Sequence, residues 1–253
     1  MTGFDPPWIL PSPILRLSNS DIHLWRTDLN VSLITLQHLT QILSEDERQR
    51  ANRFHFERDR IHFIACRGIL RCILGRYLNT NPAYIQFSYG SRGKPILETS
   101  SDISPLQFNL SHSHGLALYA ITRRCAIGVD LEYCRAIEVE SLAKSFFSPR
   151  EYILLSALPP VQQRSAFFQL WTYKEAYLKA TGKGLTDLKQ VEILIHPDHS
   201  ATLHSSTPGL LPSEYWCLQQ LLPASNYIAA FAVAMPDWNL SCYRYESDPK
   251  VQA

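Results

Sequence analysis

The sequence predicts an α+β fold built as a pseudo-twofold duplication. Each of the two similar halves is a small antiparallel sheet packed by a long helix, and the site is expected in the cleft between them. Three observations predict it. A capping box occurs twice, as Ser44 with Glu47 and as Ser148 with Glu151, at positions 104 residues apart. Each box is followed by a long helical stretch, 58–78 and 161–181, and the same shift lays one over the other. Short alternating apolar runs flank both stretches, as strands do.

Taken in order, residues 1–19 are Pro-rich and read as an extension over the surface. The first half spans 20–123. It opens on a strand, IHLWRTDL, followed by the Ser44-capped helix. The long helix places Phe63, Ile69, Leu70, Ile73 and Tyr77 at apolar positions, and NTNP ends it. YIQFSY, the Gly turn GSRGKP, and the strands QFNLS and LALYAIT complete the half. The second half spans 124–245 and opens on AIGVDLE. Ser148 caps a helix with Pro149 at its first position, LPP interrupts it, and the second long helix closes at Gly182. Strands VEILI, YWCLQQL, YIAAFAVAM and LSCYRY follow, and 246–253 form a tail.

Bulk properties narrow the function. The 253 residues are 45% hydrophobic, enough for a large core, and 24 Lys and Arg against 23 Asp and Glu leave a net charge of +1. No basic field speaks for nucleic acid, and no apolar run nears the ~18 residues of a membrane span. The N-terminus lacks a positive n-region, and the six cysteines form no C-x-x-C pair. A cytoplasmic, reduced protein is expected.

The chemistry centres on AIGVDLE. Strand alternation puts Cys125, Ile127, Val129 and Leu131 on one apolar face, and Ala126, Gly128, Asp130 and Glu132 on the other. Two carboxylates at this spacing repel unless a cation lies between them. A hard cation such as Mg²⁺ would answer, and so would a plain solvated edge. In FFQLWTYKEAYLKATGKGL, Glu175 stands within an apolar stripe with Phe167, Phe168, Trp171 and Leu178. Lys179 one turn on offers an ion pair, and a metal shared with the DLE strand offers the other compensation. FNLSHSHG places Ser111, His112 and His114 at a strand end, a polar turn or an anion contact; HxH could also be half of a zinc site, but nearby partners are missing. RGKP puts Lys94 in a Gly turn that a ligand can approach closely, and Arg58 opens the first long helix.

The set RGKP, FNLSHS, IGVDLE, FFSPREY and WTYKEAYLKATGKGL, in this order, resembles the surfactin-synthetase-activating type of 4′-phosphopantetheinyl transferase. The resemblance spans about 44–195. It implies transfer of 4′-phosphopantetheine from coenzyme A to a serine of an apo acyl or peptidyl carrier protein, with release of 3′,5′-ADP. It implies Mg²⁺, with Mn²⁺ as a substitute, and carriers of polyketide, nonribosomal peptide or fatty acid synthesis. It also implies a monomeric pseudo-dimer. By position, Asp130, Glu132 and Glu175 correspond to metal ligands, and Glu175 and Lys179 to catalytic groups. Arg58, Arg92, Gly93, Lys94, Pro95, Asn109, Ser111, His112, Lys174 and Lys179 correspond to coenzyme A contacts. His114 is assigned no role. Bacterial relatives place lysines in the first capping-box helix, where this chain has Glu47 and Arg50. A Mg-dependent phosphohydrolase acting on coenzyme A-like pyrophosphates is the alternative.

Overall fold

A computed structural model of the chain describes residues 4–90, 93–98, 106–196, 201–204 and 215–246. In the first half, β1 (Asp21–Asp28), α1 (Leu33–Ile42), α2 (Glu45–Ala51) and α3 (Glu57–Leu78) precede β2 (Phe87–Tyr89), β3 (Pro95–Leu97), β4 (Leu106–Ser113) and β5 (Leu116–Arg123). The second half runs β6 (Ile127–Tyr133), α4 (Val139–Phe146), α5 (Pro149–Ser156), α6 (Pro160–Thr181), β7 (Ile193–Ile195), β8 (Ala201–Leu203), β9 (Cys217–Leu221), β10 (Tyr227–Val233) and β11 (Asn239–Arg244).

Both capping boxes form. Glu47 accepts from the Ser44 N–H at 3.2 Å, and Glu151 from the Ser148 N–H at 2.8 Å. The duplication also extends to α1 and α4, which precede the capped helices and carry weak start signals. Ser32 caps α1, but its third position is Thr35 rather than an acid, and Glu138 at the start of α4 makes no side-chain cap.

The strands form a sheet of order β11-β1-β5-β4, a second of order β6-β10-β9-β8-β7, and the hairpin β2-β3. The two large sheets pack face to face, with Ile22, Leu24, Leu118 and Ala120 meeting Ile127, Val129, Leu131 and Phe231. The apolar face of AIGVDLE therefore lies on this shared core. α3 covers the outside of the first sheet over Trp25, Ile69, Ile73 and Tyr119. α6 covers the outside of the second over Phe167, Tyr177, Ala230 and Ala232. The result is helix, sheet, sheet, helix.

β11 follows the second half in chain order, yet it runs parallel beside β1, from Asp21↔Asn239 to Arg26↔Arg244. The first sheet is thus mixed at that edge. The exchange puts Leu240 and Cys242 into the layer between the sheets. The N-terminal segment follows β11, with Ile9 N–H donating to Cys242 O and Arg244 N–H donating to Ile9 O.

Each half buries the acid of its capping box against a cation of its long helix. Glu47 pairs with Arg71 at 2.6 Å and Arg67 at 3.0 Å, and Glu151 pairs with Lys174. Arg71 and Lys174 occupy equivalent places, fourteen residues beyond Glu57 and Pro160. Among the described residues all six cysteines are free, and no helix is long and apolar enough to cross a membrane.

Candidate active site

β6 and α6 meet at unusually short range because of Gly128. A Cβ there would stand 2.5 Å from Ala180 N and nearer still to Ala176 O. Without that side chain, the acidic face of β6 lies directly against the face of α6 that carries Glu175 and Lys179. The i, i+2 spacing of the strand and the i, i+4 spacing of the helix then converge.

Lys179 is the hub. Its ammonium donates to Asp130 Oδ1 at 2.6 Å and to Ser111 Oγ at 3.0 Å, while Ser111 Oγ donates to Asp130 Oδ1 at 3.0 Å. Asp130 is buried, and its Oδ2 has no partner; Glu175 Oε1 is likewise buried and unpartnered. Burial raises the Glu175 carboxyl to about 7, and the charge on Asp130 adds to the rise. Glu132 is also held at about 7, by burial first and Asp130 second.

Two orphaned carboxylate oxygens and two acids reluctant to ionise form an all-oxygen set of three carboxyls, to which the Lys179 ammonium brings one positive charge. That fits a hard divalent cation. Among the described residues, no three acidic, His or Cys side chains already close into a metal cage. Mg²⁺ does not require one, since it keeps several waters and substrate oxygens and draws on only one or two carboxylates.

Beside this cluster opens a cavity of about 410 Å³. Arg50, Arg67, Lys94, Lys179, Lys183 and His112 line it, and among the described residues none of its lining is acidic. Arg67 is committed to Glu47, Lys179 to Asp130 and one hydrogen of Lys94 to Lys179 O, which leaves Arg50 and Lys183 as the cavity cations best placed to face a ligand. Phe54, Phe63, Pro95 and Phe108 supply apolar wall.

Of the residues expected at the site, Asp130, Glu132, Glu175, Lys179 and Ser111 come together. Gly93, Lys94, Pro95, Asn109 and His112 line the cavity. Gly93 has φ +74, the left-handed value its turn requires. The other expected residues lie elsewhere. Arg58 is exposed at the start of α3 and pairs with Asp59, outside the described cavity lining. Lys174 is wholly buried in the second half against Glu151 and the Phe147 ring. One residue along a helix is a turn of about 100°, so Lys174 and Glu175 cannot share a face. Lys94 spends one ammonium hydrogen on Lys179 O at 2.6 Å, closing the last turn of α6, and burial lowers its pKa. His114 turns away and stacks on Tyr133 at 4.5 Å. Arg92 lies outside the described residues. Lys183 and Arg67 were not anticipated as cavity cations. Arg50 stood in the sequence only as a departure from lysine, although it follows Glu47 at i+3 on a helix whose start was legible.

Comparison with known proteins bears on these residues. Residues 126–232 match the 4′-phosphopantetheinyl transferase superfamily, and 16–123 match the N-terminal region of 4′-phosphopantetheinyl transferase. The chain is 47% identical over 239 residues to the 4′-phosphopantetheinyl transferase HetI of Nostoc sp. (strain PCC 7120), covering 94% of this chain and 98% of that one. It is 37% identical over 179 residues to a putative 4′-phosphopantetheinyl transferase of Synechocystis sp. (strain PCC 6803), covering 70% and 71%. Against 4′-phosphopantetheinyl transferase Sfp of Bacillus subtilis (strain 168), identity is 29% over 168 residues, covering 66% and 73%.

Proposed function

The chain belongs to the 4′-phosphopantetheinyl transferase superfamily, and from that membership we infer that it moves 4′-phosphopantetheine from coenzyme A to a serine of an apo acyl or peptidyl carrier protein, releasing 3′,5′-ADP. One observation from the chain itself supports the reading. A cavity whose described lining carries cations and no acid lies beside the Asp130, Glu132 and Glu175 carboxyls, with Lys179 lining the cavity and bonded to Asp130. That arrangement suits a substrate rich in phosphate that reacts at one end. No observation favours the phosphohydrolase alternative.

In this reading Arg50, Lys183 and His112 hold the donor's phosphates, and the aromatic wall receives the base. Ser111 and Lys179 meet the oxygens of the reacting phosphoryl group. The carrier serine oxygen attacks the phosphorus that bears pantetheine. A new P–O bond to serine forms as the bond to the departing 3′,5′-ADP oxygen breaks. The serine proton passes to Glu175, directly or through water. Burial raises the Glu175 carboxyl above the ordinary range, and that makes it a stronger base than an exposed carboxylate. Charge gathering on the phosphoryl oxygens is met by the Lys179 ammonium, already fixed by Asp130 and Ser111. Asp130, Glu132 and Glu175 would hold Mg²⁺, or Mn²⁺ in its place, which when bound supplies further charge neutralisation and polarises the phosphoryl oxygens. Holding the reactants in line carries much of the acceleration in such transfers. The enzyme works as a single cytoplasmic chain whose two halves, meeting near residue 124, supply both walls.

The test is direct. Purified protein is incubated with coenzyme A, Mg²⁺ and an apo carrier, and the intact carrier is weighed. A gain of one phosphopantetheine, lost in Asp130→Ala and under excess chelator, is the expected result. Release of 3′,5′-ADP at the same rate without any carrier would instead establish the hydrolase.

A further inference from the structure

β6 is an edge strand. One side pairs with β10, from Val233↔Ile127 to Tyr227↔Tyr133. The other side turns the N–H groups of Val129, Leu131 and Tyr133 toward β4, and no backbone carbonyl receives them. Buried N–H groups left bare at an edge are costly, and here each finds a side chain instead. Val129 N–H donates to Asn109 Oδ1 at 2.9 Å, Leu131 N–H to Ser111 Oγ at 3.2 Å, and Tyr133 N–H to Ser113 Oγ at 3.2 Å. The offset is twenty residues at every rung. Alternate side chains of one strand replace the backbone acceptors of a parallel neighbour.

The two residues between the rungs are Asp130 and Glu132. A slip of one rung would move both by about 7 Å along the strand and leave one of the three N–H groups without its acceptor, while a slip of one residue would turn every rung to the wrong face. The last rung is also fastened from outside. The β4–β5 turn consists of His114 and Gly115, both at positive φ (46° and 88°). The His114 ring stacks on Tyr133, and the Tyr227 hydroxyl donates to His114 O at 2.9 Å. The turn that ends β4 is therefore tied to β6 and β10 of the other half.

We propose that Asn109 and Ser113 are positioning residues of the transfer reaction: with Ser111 they form a side-chain ladder that sets the register of β6 against β4, and so the placement of Asp130 and Glu132 opposite Glu175 and Lys179. The proposal rests on the transferase reading above. It gives Asn109 a role through β6 rather than through contact with the donor, and it gives Ser113 a role where none was assigned. Ser111 also touches Asp130 and Lys179, and Ser113 Oγ also donates to Glu132 Oε2 at 3.5 Å, so Asn109 is the rung that acts through the β6 backbone without touching an acid of the site.

The experiment compares wild type, Ser113→Val, Ser113→Thr and Asn109→Leu. Valine matches threonine in shape and lacks only the hydroxyl. Four quantities are read: Mn²⁺ affinity of the enzyme without donor, by the electron paramagnetic resonance signal of free Mn²⁺; kcat with an apo carrier; KM for coenzyme A; and exchange of the Tyr133 amide hydrogen. Ser113→Val should weaken Mn²⁺ binding about tenfold, the low end of losses from groups that orient metal ligands. It should lower kcat by a similar factor, speed Tyr133 exchange and leave KM for coenzyme A within twofold. Ser113→Thr should restore all three altered quantities. Asn109→Leu should follow Ser113→Val, with the exchange of Val129 accelerated instead. Wild-type Mn²⁺ affinity and kcat in Ser113→Val would overturn the proposal, as would a raised KM with kcat intact, which would make these residues donor contacts. A wild-type protein that loads no carrier would sink the transferase reading and this proposal with it, an outcome distinct from active wild type with an unaltered valine variant.

Discussion

Gly128→Ala should damage stability and catalysis together, through one contact. The added methyl would stand 2.5 Å from Ala180 N and closer to Ala176 O, whereas ordinary contact begins at 3.4 Å. β6 and α6 must therefore part by roughly 1 Å. Both obstacles are backbone, so no side chain can rotate away. Overpacking of this kind costs about 1–3 kcal/mol, and the rigid partners place it at the upper end. For a domain of this size that is a fall in Tm of about 6–12 °C. The same displacement separates Asp130 and Glu132 from Glu175 and Lys179, and misplacement by about 1 Å can cost about 10²-fold in rate. The assay pairs thermal unfolding with carrier loading at a temperature where the variant is fully folded. A variant within 1 °C of wild type that also loads carrier at the wild-type rate would refute the claim that this close approach builds the site. Truncating a neighbouring side chain should not rescue Gly128→Ala, since the obstruction is main chain.

Other outcomes follow from the same geometry. Lys174→Met leaves Glu151 buried without its cation and should cost about 3–5 kcal/mol of stability, while KM for coenzyme A of the folded enzyme stays put; a raised KM at wild-type stability would return Lys174 to the cavity. His23 is buried neutral, and its pKa falls to about 4 chiefly through desolvation. Its contribution is whole above the ordinary value of 6.5 and drains as pH falls from 6.5 toward 4, by about 3 kcal/mol at most. His23→Gln should flatten that part of the stability curve measured by urea unfolding, and an unchanged slope would assign the acid sensitivity elsewhere. Glu132 and Glu175 must lose protons to bind a cation, and with both near 7 the apparent Mg²⁺ affinity should rise about tenfold per carboxylate from pH 6 to pH 8. Calorimetric titration in buffers of different ionisation enthalpy should detect the released protons, and pH-independent affinity would exclude these acids as ligands.

Features written within a few residues of each other were legible before folding. The alternation of AIGVDLE put Asp130 and Glu132 on one face and Ile127, Val129 and Leu131 on a core. The four-residue step joined Glu175 to Lys179. The capping boxes announced α2 and α5, because a reciprocal Ser–Glu pair is written within four residues. The order and similarity of the two halves were legible for the same reason. Which of the described cations are already paired depends on contacts between distant segments. Lys174 and Lys94 are ordinary lysines in sequence, and only folding shows one neutralising Glu151 and the other closing α6 at Lys179 O. It decided that β11 crosses to the first sheet, a pairing between residues more than two hundred positions apart. It also decided that Asn109, Ser111 and Ser113 serve as acceptors for the edge of β6, where the sequence suggested a motif that meets phosphate. Local spacing sets the face on which a side chain appears; which partner waits at that face depends on chain segments that meet only when the sheets close on each other.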